Sequence, residues 1–257
     1  IDAIYALTPM QEGMLYHKLL NENSTEYFLR EIFTMTGELD MSKVRESLDL
    51  LSEKHEVLRT AILMPKKGDR PWQVVLKERR IELNIIDLTE EKFVAEKTEQ
   101  IKEDELKRGF NLEKDSLIRV TVIHVNIEEY IVLWSSHHII MDGWCNSILL
   151  SDFFRYYAFL CQGKPTSEIR DLVKLEKANV APYADYIKWL EKQDKKNALE
   201  YWNELLNDYS EIATILPLGT QISTNEEMKS TVLTVKKEFV DKALKVAKSN
   251  SITVNTL

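Results

Sequence analysis

The chain has 257 residues, 44% hydrophobic and 30% charged, enough to bury a substantial core in one large domain or two small ones. A net charge of -8 and a pI near 5.3 argue against a nucleic-acid binder that depends on a global positive field. No apolar run approaches the ~20 residues of a membrane span. Ile1 to Tyr5 lacks the pattern of a signal peptide, and the missing initiator Met implies a chain cut from something longer. Cys145 and Cys161 form no CxxC and no disulfide framework, so a reducing, cytoplasmic setting is expected.

In chain order, Thr8-Pro9 reads as a helix start, with Thr as cap and Pro at the first helical position, and Met14, Leu15 and Leu19 follow in the helix. Tyr27 to Thr36 reads as a strand ending at Gly37. Asp40 caps a second helix with Val44, Leu48 and Leu51 on its inner face. Strands are predicted over 58–64 and 72–76, joined by a Lys66-Lys67-Gly68-Asp69 turn. A charged helix is predicted over 89–108, then strands near 117–125 and 130–136 joined by Asn126-Ile127-Glu128-Glu129. The second of these is apolar on both faces (Ile131, Val132, Leu133, Trp134), as a central strand would be.

An aromatic helix is expected over about 146–161, stopped by Gly163-Lys164-Pro165. A polar connection at about 164–180 leads to helices at about 182–193 and 195–207. Residues 208–230 read as irregular, followed by a strand near 231–237 and a helix near 238–249.

The stretch richest in chemistry is Ser135-Ser136-His137-His138-Ile139-Ile140-Met141-Asp142-Gly143-Trp144, directly after the apolar strand. Imidazole is the side chain best suited to moving protons near neutral pH. Three readings compete. Both histidines are hydrogen-bonded core residues; or His137, His138 and Asp142 hold a metal; or one His acts as base or electrostatic group while Asp142 holds the loop. Adjacent residues at a strand end point to opposite sides, so the two rings rarely share one ion, and there is no HExxH or further His or Cys cluster. The same alternation lets one His face a cleft and the other the interior.

The run His137 to Trp144 resembles the signature of condensation domains of nonribosomal peptide synthetases. His-x-x-x-Asp-Gly also occurs in coenzyme-A-dependent acyltransferases such as chloramphenicol acetyltransferase. Three further segments match in the expected order. Leu7-Thr8-Pro9-Met10-Gln11-Glu12-Gly13-Met14-Leu15 resembles the opening helix of the family. Lys54-His55-Glu56-Val57-Leu58-Arg59-Thr60 resembles its "RHExLRT" segment, with Lys in place of the leading Arg. Tyr183-Ala184-Asp185-Tyr186-Ile187-Lys188-Trp189-Leu190 resembles the fourth, followed by a typical Ala198-Leu199-Glu200-Tyr201-Trp202 helix.

The resemblance implies an α/β (α+β sandwich) lobe of the chloramphenicol-acetyltransferase type, a mixed β-sheet flanked by helices. Residues 1–257 would be the N-terminal lobe, with the crossing to an absent C-terminal lobe starting at about 231–257. It implies condensation of a donor thioester with the amine of an acceptor thioester, both on carrier proteins. The partners implied are donor and acceptor peptidyl carrier domains, the C-terminal lobe and a neighbouring adenylation domain, with no nucleic acid and no membrane. No cofactor or metal is implied for the domain itself, because 4'-phosphopantetheine arrives on the carriers.

By the same resemblance His138 faces the reaction tunnel and His137 makes an internal hydrogen bond. Asp142 pairs with Arg59 as a brace, a buried ion pair whose disruption would cost about 3–5 kcal/mol. Gly143 lets the thioester approach the backbone, and its amide is a candidate oxyanion donor. Whether His138 is base, positioning group or electrostatic stabiliser stays open. An epimerisation domain shares the fold and motif, and a silent lobe that only docks carriers is a third reading. The Trp144-Cys145 context favours condensation.

Other residues are read as structural. His55 belongs to its motif, His17 and His124 have no partner pattern, and Trp144 is a candidate for lining the cleft, although a Trp at a helix start more often packs. Ser135 and Ser136 lie in one strand with His137 and lack a nucleophile elbow. Cys145 is read as a buried small hydrophobe, and Phe153, Phe154, Tyr156, Tyr157 and Phe159 as core.

Overall fold

The computed structural model describes residues 1–21, 24–64, 70–210 and 232–257. The chain divides into two units, Ile1–Lys195 and Lys196–Leu257.

The first unit is built on two sheets. β1 (Ala3–Ala6), β3 (Thr60–Leu63) and β4 (Trp72–Val75) form an antiparallel sheet in the order β1-β4-β3. β2 (Phe28–Thr36), β5 (Glu82–Asp87), β6 (Ile118–Asn126) and β7 (Glu129–His137) form the second, in the order β2-β7-β6-β5. β5 runs parallel to β6, so the sheet is mixed, and α3 (Val94–Arg108) makes the crossover between them.

Helices cover both faces of the larger sheet. α2 (Met41–Lys54) turns Val44, Leu48 and Leu51 into the main core, where they meet Leu149 and Phe153 of α4 (Gly143–Cys161) and Val132 and Trp134 of β7. On the opposite face Leu133 and Ile123 pack with Leu88, Val94 and Ile101 under α3. β7 is therefore buried on both sides, as its continuous apolar run predicts.

Local signals explain where the elements begin and end. Thr8 caps α1 (Pro9–Leu20) through a capping box: its side chain accepts from the Gln11 amide, and the Gln11 side chain accepts from Thr8 N–H. Asp40 accepts from the amides of Ser42 and Lys43 at the start of α2. Gly37, at φ +93, ends β2, in a backbone region that a residue with a Cβ rarely enters.

Several expectations need correction. β1 and β5 are additional strands; β5 holds Leu83, Ile85 and Ile86 in a short run whose parallel pairing is not a local property of the sequence. Residues 58–59 belong to a 3-10 turn, Glu56–Arg59, and β3 starts at Thr60. α3 starts at Val94 rather than at 89, and α4 at Gly143 rather than 146. The expected polar connection is helix α5 (Thr166–Ala178), which buries Ile169 and Val173 one turn apart. α6 (Tyr183–Glu191) and α7 (Lys195–Leu205) form as expected. The Lys66-Lys67-Gly68-Asp69 turn and residues 211–231 lie outside the described residues.

In the second unit, residues 232–236 carry no strand, and α8 (Lys237–Ser249) is followed by a 3-10 turn at Val254–Thr256. A continuous apolar alternation is what a strand there would need, and Lys236 and Lys237 interrupt it. No helix among the described residues is long and apolar enough to cross a membrane.

Candidate functional site

β7 delivers the chain into the histidine loop. His137 is its last residue and is 3% exposed. Its Nδ1 accepts from the Ile139 amide at 3.1 Å, the internal hydrogen bond expected of it. Burial, aided by the nearby charges of Lys18 and His138, pushes its pKa down to about 4, so the ring is neutral near pH 7. His138 differs. It is partly exposed, its ring makes no hydrogen bond among the described residues, and only its backbone is fixed, by donation to the Tyr27 carbonyl at 2.8 Å. The strand alternation thus encloses one imidazole and leaves the other accessible.

The backbone of the loop is tied in two further places. The Ile140 amide donates to the His137 carbonyl at 3.2 Å. The Ile139 carbonyl accepts from Gln11 Nε2 at 2.9 Å, across 128 residues of sequence. Gln11 in turn is paired with Gln73 of β4: Gln11 Nε2 donates to Gln73 Oε1 at 3.0 Å, and Gln73 Nε2 donates to Gln11 Oε1 at 2.8 Å. Gln73 also donates to the Ala6 carbonyl at 3.0 Å. The composition offered no hint of this pair; the Thr8-x-x-Gln11 capping spacing was the available signal.

Asp142 and Arg59 do not pair, which corrects the expected brace. Asp142 is exposed and caps α4, accepting from the amides of Trp144 at 3.0 Å and Cys145 at 3.1 Å. The Cys145 amide above all holds its carboxyl below the usual carboxylate range. Arg59 is 5% exposed and serves other partners. It donates to the Ser52 carbonyl, to the Leu76 carbonyl at 3.0 Å and to Asp2 at 3.4 Å. Ser52 and Glu53 lie in the last turn of α2, where free carbonyls and the helix dipole attract a cation. Both residues are braces, but of two different helix ends.

Gly143 is the first residue of α4, with open space where a Cβ would stand, so the protein itself does not require Gly there. Asp142 occupies the next two amides, and the Gly143 amide makes no hydrogen bond among the described residues. Trp144 is 84% exposed, which overturns the packing expectation for this side chain. Cys145 packs against the core and lines an apolar groove of about 440 Å³ with Val57, Ile148, Leu149 and Tyr183. Burial pushes its thiol up, as expected of a small hydrophobe rather than a nucleophile.

His55 has the structural role expected of its motif. Its Nε2 lies 2.8 Å from Asp152 Oδ2, and Lys54 Nζ reaches the same oxygen at 2.8 Å and Glu176 at 2.6 Å. Arg155 bridges Asp152 and Glu176, both at 2.7 Å. Burial raises the Asp152 carboxyl, but hydrogen bonds from His55 and Lys54 outweigh it and hold it at about 2. His124 stacks on Tyr130, with ring centroids 4.3 Å apart. Of the aromatic set, Phe153 and Tyr156 are buried, Tyr157 and Phe159 pack partly, and Phe154 is 40% exposed.

Comparison with known proteins places this geometry. A family model described as "Condensation domain" matches residues 1–257. The chain is 35% identical to gramicidin S synthase 2 of Brevibacillus brevis over 258 residues, covering 99% of this chain and 6% of that protein. It is 35% identical to bacitracin synthase 1 of Bacillus licheniformis over 262 residues, covering 100% of this chain and 5% of that one. The chain therefore spans a small part of these relatives' length. Among solved structures, the starter condensation domain of the rhizomide synthetase matches with a TM-score of 0.59 at 18% identity, over 64% of this chain and 41% of that one. The first condensation domain of the calcium-dependent antibiotic synthetase, in complex with substrate analogue 2a, matches with a TM-score of 0.63 at 17% identity, over 82% and 49%. The shared fold is of the chloramphenicol-acetyltransferase type, and the chain belongs to the condensation-domain family of nonribosomal peptide synthetases.

Proposed function

We propose that this chain takes part in amide-bond formation between two carrier-bound thioesters. The amine nitrogen of the acceptor aminoacyl thioester attacks the carbonyl carbon of the donor aminoacyl or peptidyl thioester. The resulting tetrahedral intermediate collapses with loss of the C–S bond, and the donor thiolate leaves as thiol, carrying away a proton the amine has lost. The observation that carries the reading is the family match over residues 1–257.

His138 is the side chain proposed to meet the reacting atoms. It is the accessible member of the pair, next to a neutral, enclosed His137. Among the described residues its ring makes no hydrogen bond to a carboxylate of the kind that His55 makes to Asp152, and a general base is normally held in one tautomer by such a partner. An aminoacyl amine is also weakly basic for an amine and loses its proton readily near neutral pH. The proposed role of His138 is therefore to position the amine and stabilise the tetrahedral intermediate by hydrogen bonding. The Gly143 amide, at the positive end of α4, is the proposed second donor to the oxyanion. Asp142 and Arg59 hold the ends of α4 and α2 that frame the site.

The reading extends to partners. Donor and acceptor carrier domains would bring the substrates on 4'-phosphopantetheine arms, loaded by a neighbouring adenylation domain, and no cofactor would reside in this chain. Residues 1–257 are read as one of two lobes, the N-terminal one by motif order, because the solved condensation-domain chains are about twice the matched length. The test uses the whole protein carrying this sequence, with separately loaded donor and acceptor carriers. Intact-mass measurement of the acceptor carrier should show the dipeptidyl thioester. A racemised aminoacyl thioester with no dipeptide would support epimerisation instead, and no change in either carrier would leave only docking.

A further inference from the structure

The loop that carries His138 is held from outside by one side chain. Among the described residues, Gln11 alone bonds the loop backbone from another element through its side chain, at the Ile139 carbonyl, 2.9 Å away and next to His138. Gln11 is 7% exposed and Gln73 is 2% exposed, so neither bond is exchanged easily for water. A glutamine side chain can donate twice and accept twice, and Gln11 does all four. Its Nε2 donates to Ile139 and Gln73; its Oε1 accepts from Gln73 and from the Thr8 amide. Gln73 passes the connection to Ala6 of β1. A single buried amide pair therefore joins the cap of α1, β1 and β4 of the smaller sheet, and the end of β7 in the larger one.

We propose that Gln11, backed by Gln73, is a positioning residue for His138: it fixes the height and tilt of the loop by holding the Ile139 carbonyl. This inference rests on the proposed role of His138. The other ties of the loop are made by its own backbone, within itself, to the Leu117 carbonyl at His137, and to the carbonyl of Tyr27, whose φ of +62 places it in the left-handed region rarely used by a tyrosine. Without Gln11 the Ile139 carbonyl is left buried and unpaired, and the loop is free to turn it toward another donor.

Gln11→Glu removes the donor that holds the loop while keeping the cap of α1. The carboxylate still accepts from the Thr8 amide, a common capping-box partner, and from Gln73 Nε2, but it presents an oxygen instead of a donor to the Ile139 carbonyl and to Gln73 Oε1. The expected result, in the whole protein with loaded carriers and below the variant's thermal midpoint, which falls because a buried carboxylate faces two acceptor oxygens, is kcat lower by ~10- to 100-fold with KM for the acceptor carrier unchanged. Gln11→Met should lower kcat as much, and Gln73→Met should do so less, because it acts one bond further away.

Amide hydrogen exchange on the chain itself gives a second readout that needs no activity. The His138 and Ile140 amides should exchange faster in Gln11→Glu, while β6 amides are unchanged. A folded Gln11→Glu protein with kcat within about twofold of the parent, or with unchanged exchange at 138–140, overturns the proposal. If the Gln11 variants do not fold, Gln73→Met carries the same test, and unchanged exchange at 138–140 overturns it. An inactive parent would instead overturn the proposed function, and the exchange measurement would still decide whether Gln11 holds the loop.

Discussion

Replacing Asp142 by Ala separates two accounts of the histidine loop. If Asp142 formed a buried pair with Arg59, its loss would strand a charge and cost about 3–5 kcal/mol. The structure gives it a smaller task, accepting two amides at the exposed start of α4. Losing an N-cap costs about 1 kcal/mol, and losing a negative charge at a helix start adds roughly 0.5 kcal/mol. The sum, about 1.5 kcal/mol, lowers the thermal midpoint of a chain this size by about 3–6 °C. Asn, which caps nearly as well, should recover most of the difference.

The sign with pH follows from the lowered carboxyl. The contribution of Asp142 is fully present above its unfolded pKa of about 3.9 and is lost as pH falls through the lower folded value. The gap between parent and Ala variant should therefore be constant near neutrality and narrow only in strong acid. Thermal unfolding followed by circular dichroism, with Arg59→Met and the double variant, completes the cycle. Coupling below about 0.5 kcal/mol is expected. Coupling of several kcal/mol would refute the separate-caps account and restore the pair.

Three further outcomes follow from the same geometry. Arg59→Met should cost about 2–3 kcal/mol in urea unfolding, because charged bonds to the Ser52 and Leu76 carbonyls are lost and Ser52 stays buried. His137 is protonated more easily unfolded, at about 6.5, than folded, at about 4. Its stabilisation is thus present above the unfolded value and declines as pH falls between the two, by about 3 kcal/mol in all; relative to the parent, His137→Gln should show a smaller loss of stability between those pH values. Asp152→Ala removes the shared partner of Lys54, His55 and Arg155, but Glu176 still pairs with Lys54 and Arg155, so the cost in the same measurement should be about 1–3 kcal/mol.

What could be read in advance was local. The caps Thr8 and Asp40, the stop at Gly37 and the doubly buried β7 rest on short-range patterns, and the structure follows them. The alternation of two adjacent histidines was enough to separate an enclosed ring from an accessible one. Pairing across the chain was not legible. β5 depends on a parallel partner more than thirty residues on, and Gln11 meets Ile139 only after two sheets are in place. The Asp142–Arg59 expectation failed for a related reason: the resemblance named two charges but not the helix ends beside them, and each charge satisfies its nearer helix terminus. α5 did carry a helical signal, Ile169 and Val173 one turn apart, beneath a polar composition that reads as a connection.

The central claim is that His138 acts on the reacting atoms and does little for the fold. His138→Ala in the whole protein, with both carriers loaded in advance, tests it in one single-turnover measurement of dipeptidyl thioester formation. The account predicts a rate lower by ~100-fold or more, with a thermal midpoint within about 2 °C of the parent, since the ring makes no hydrogen bond among the described residues and is partly exposed. A rate equal to the parent's, or a loss of rate matched by a loss of folded protein, would contradict it.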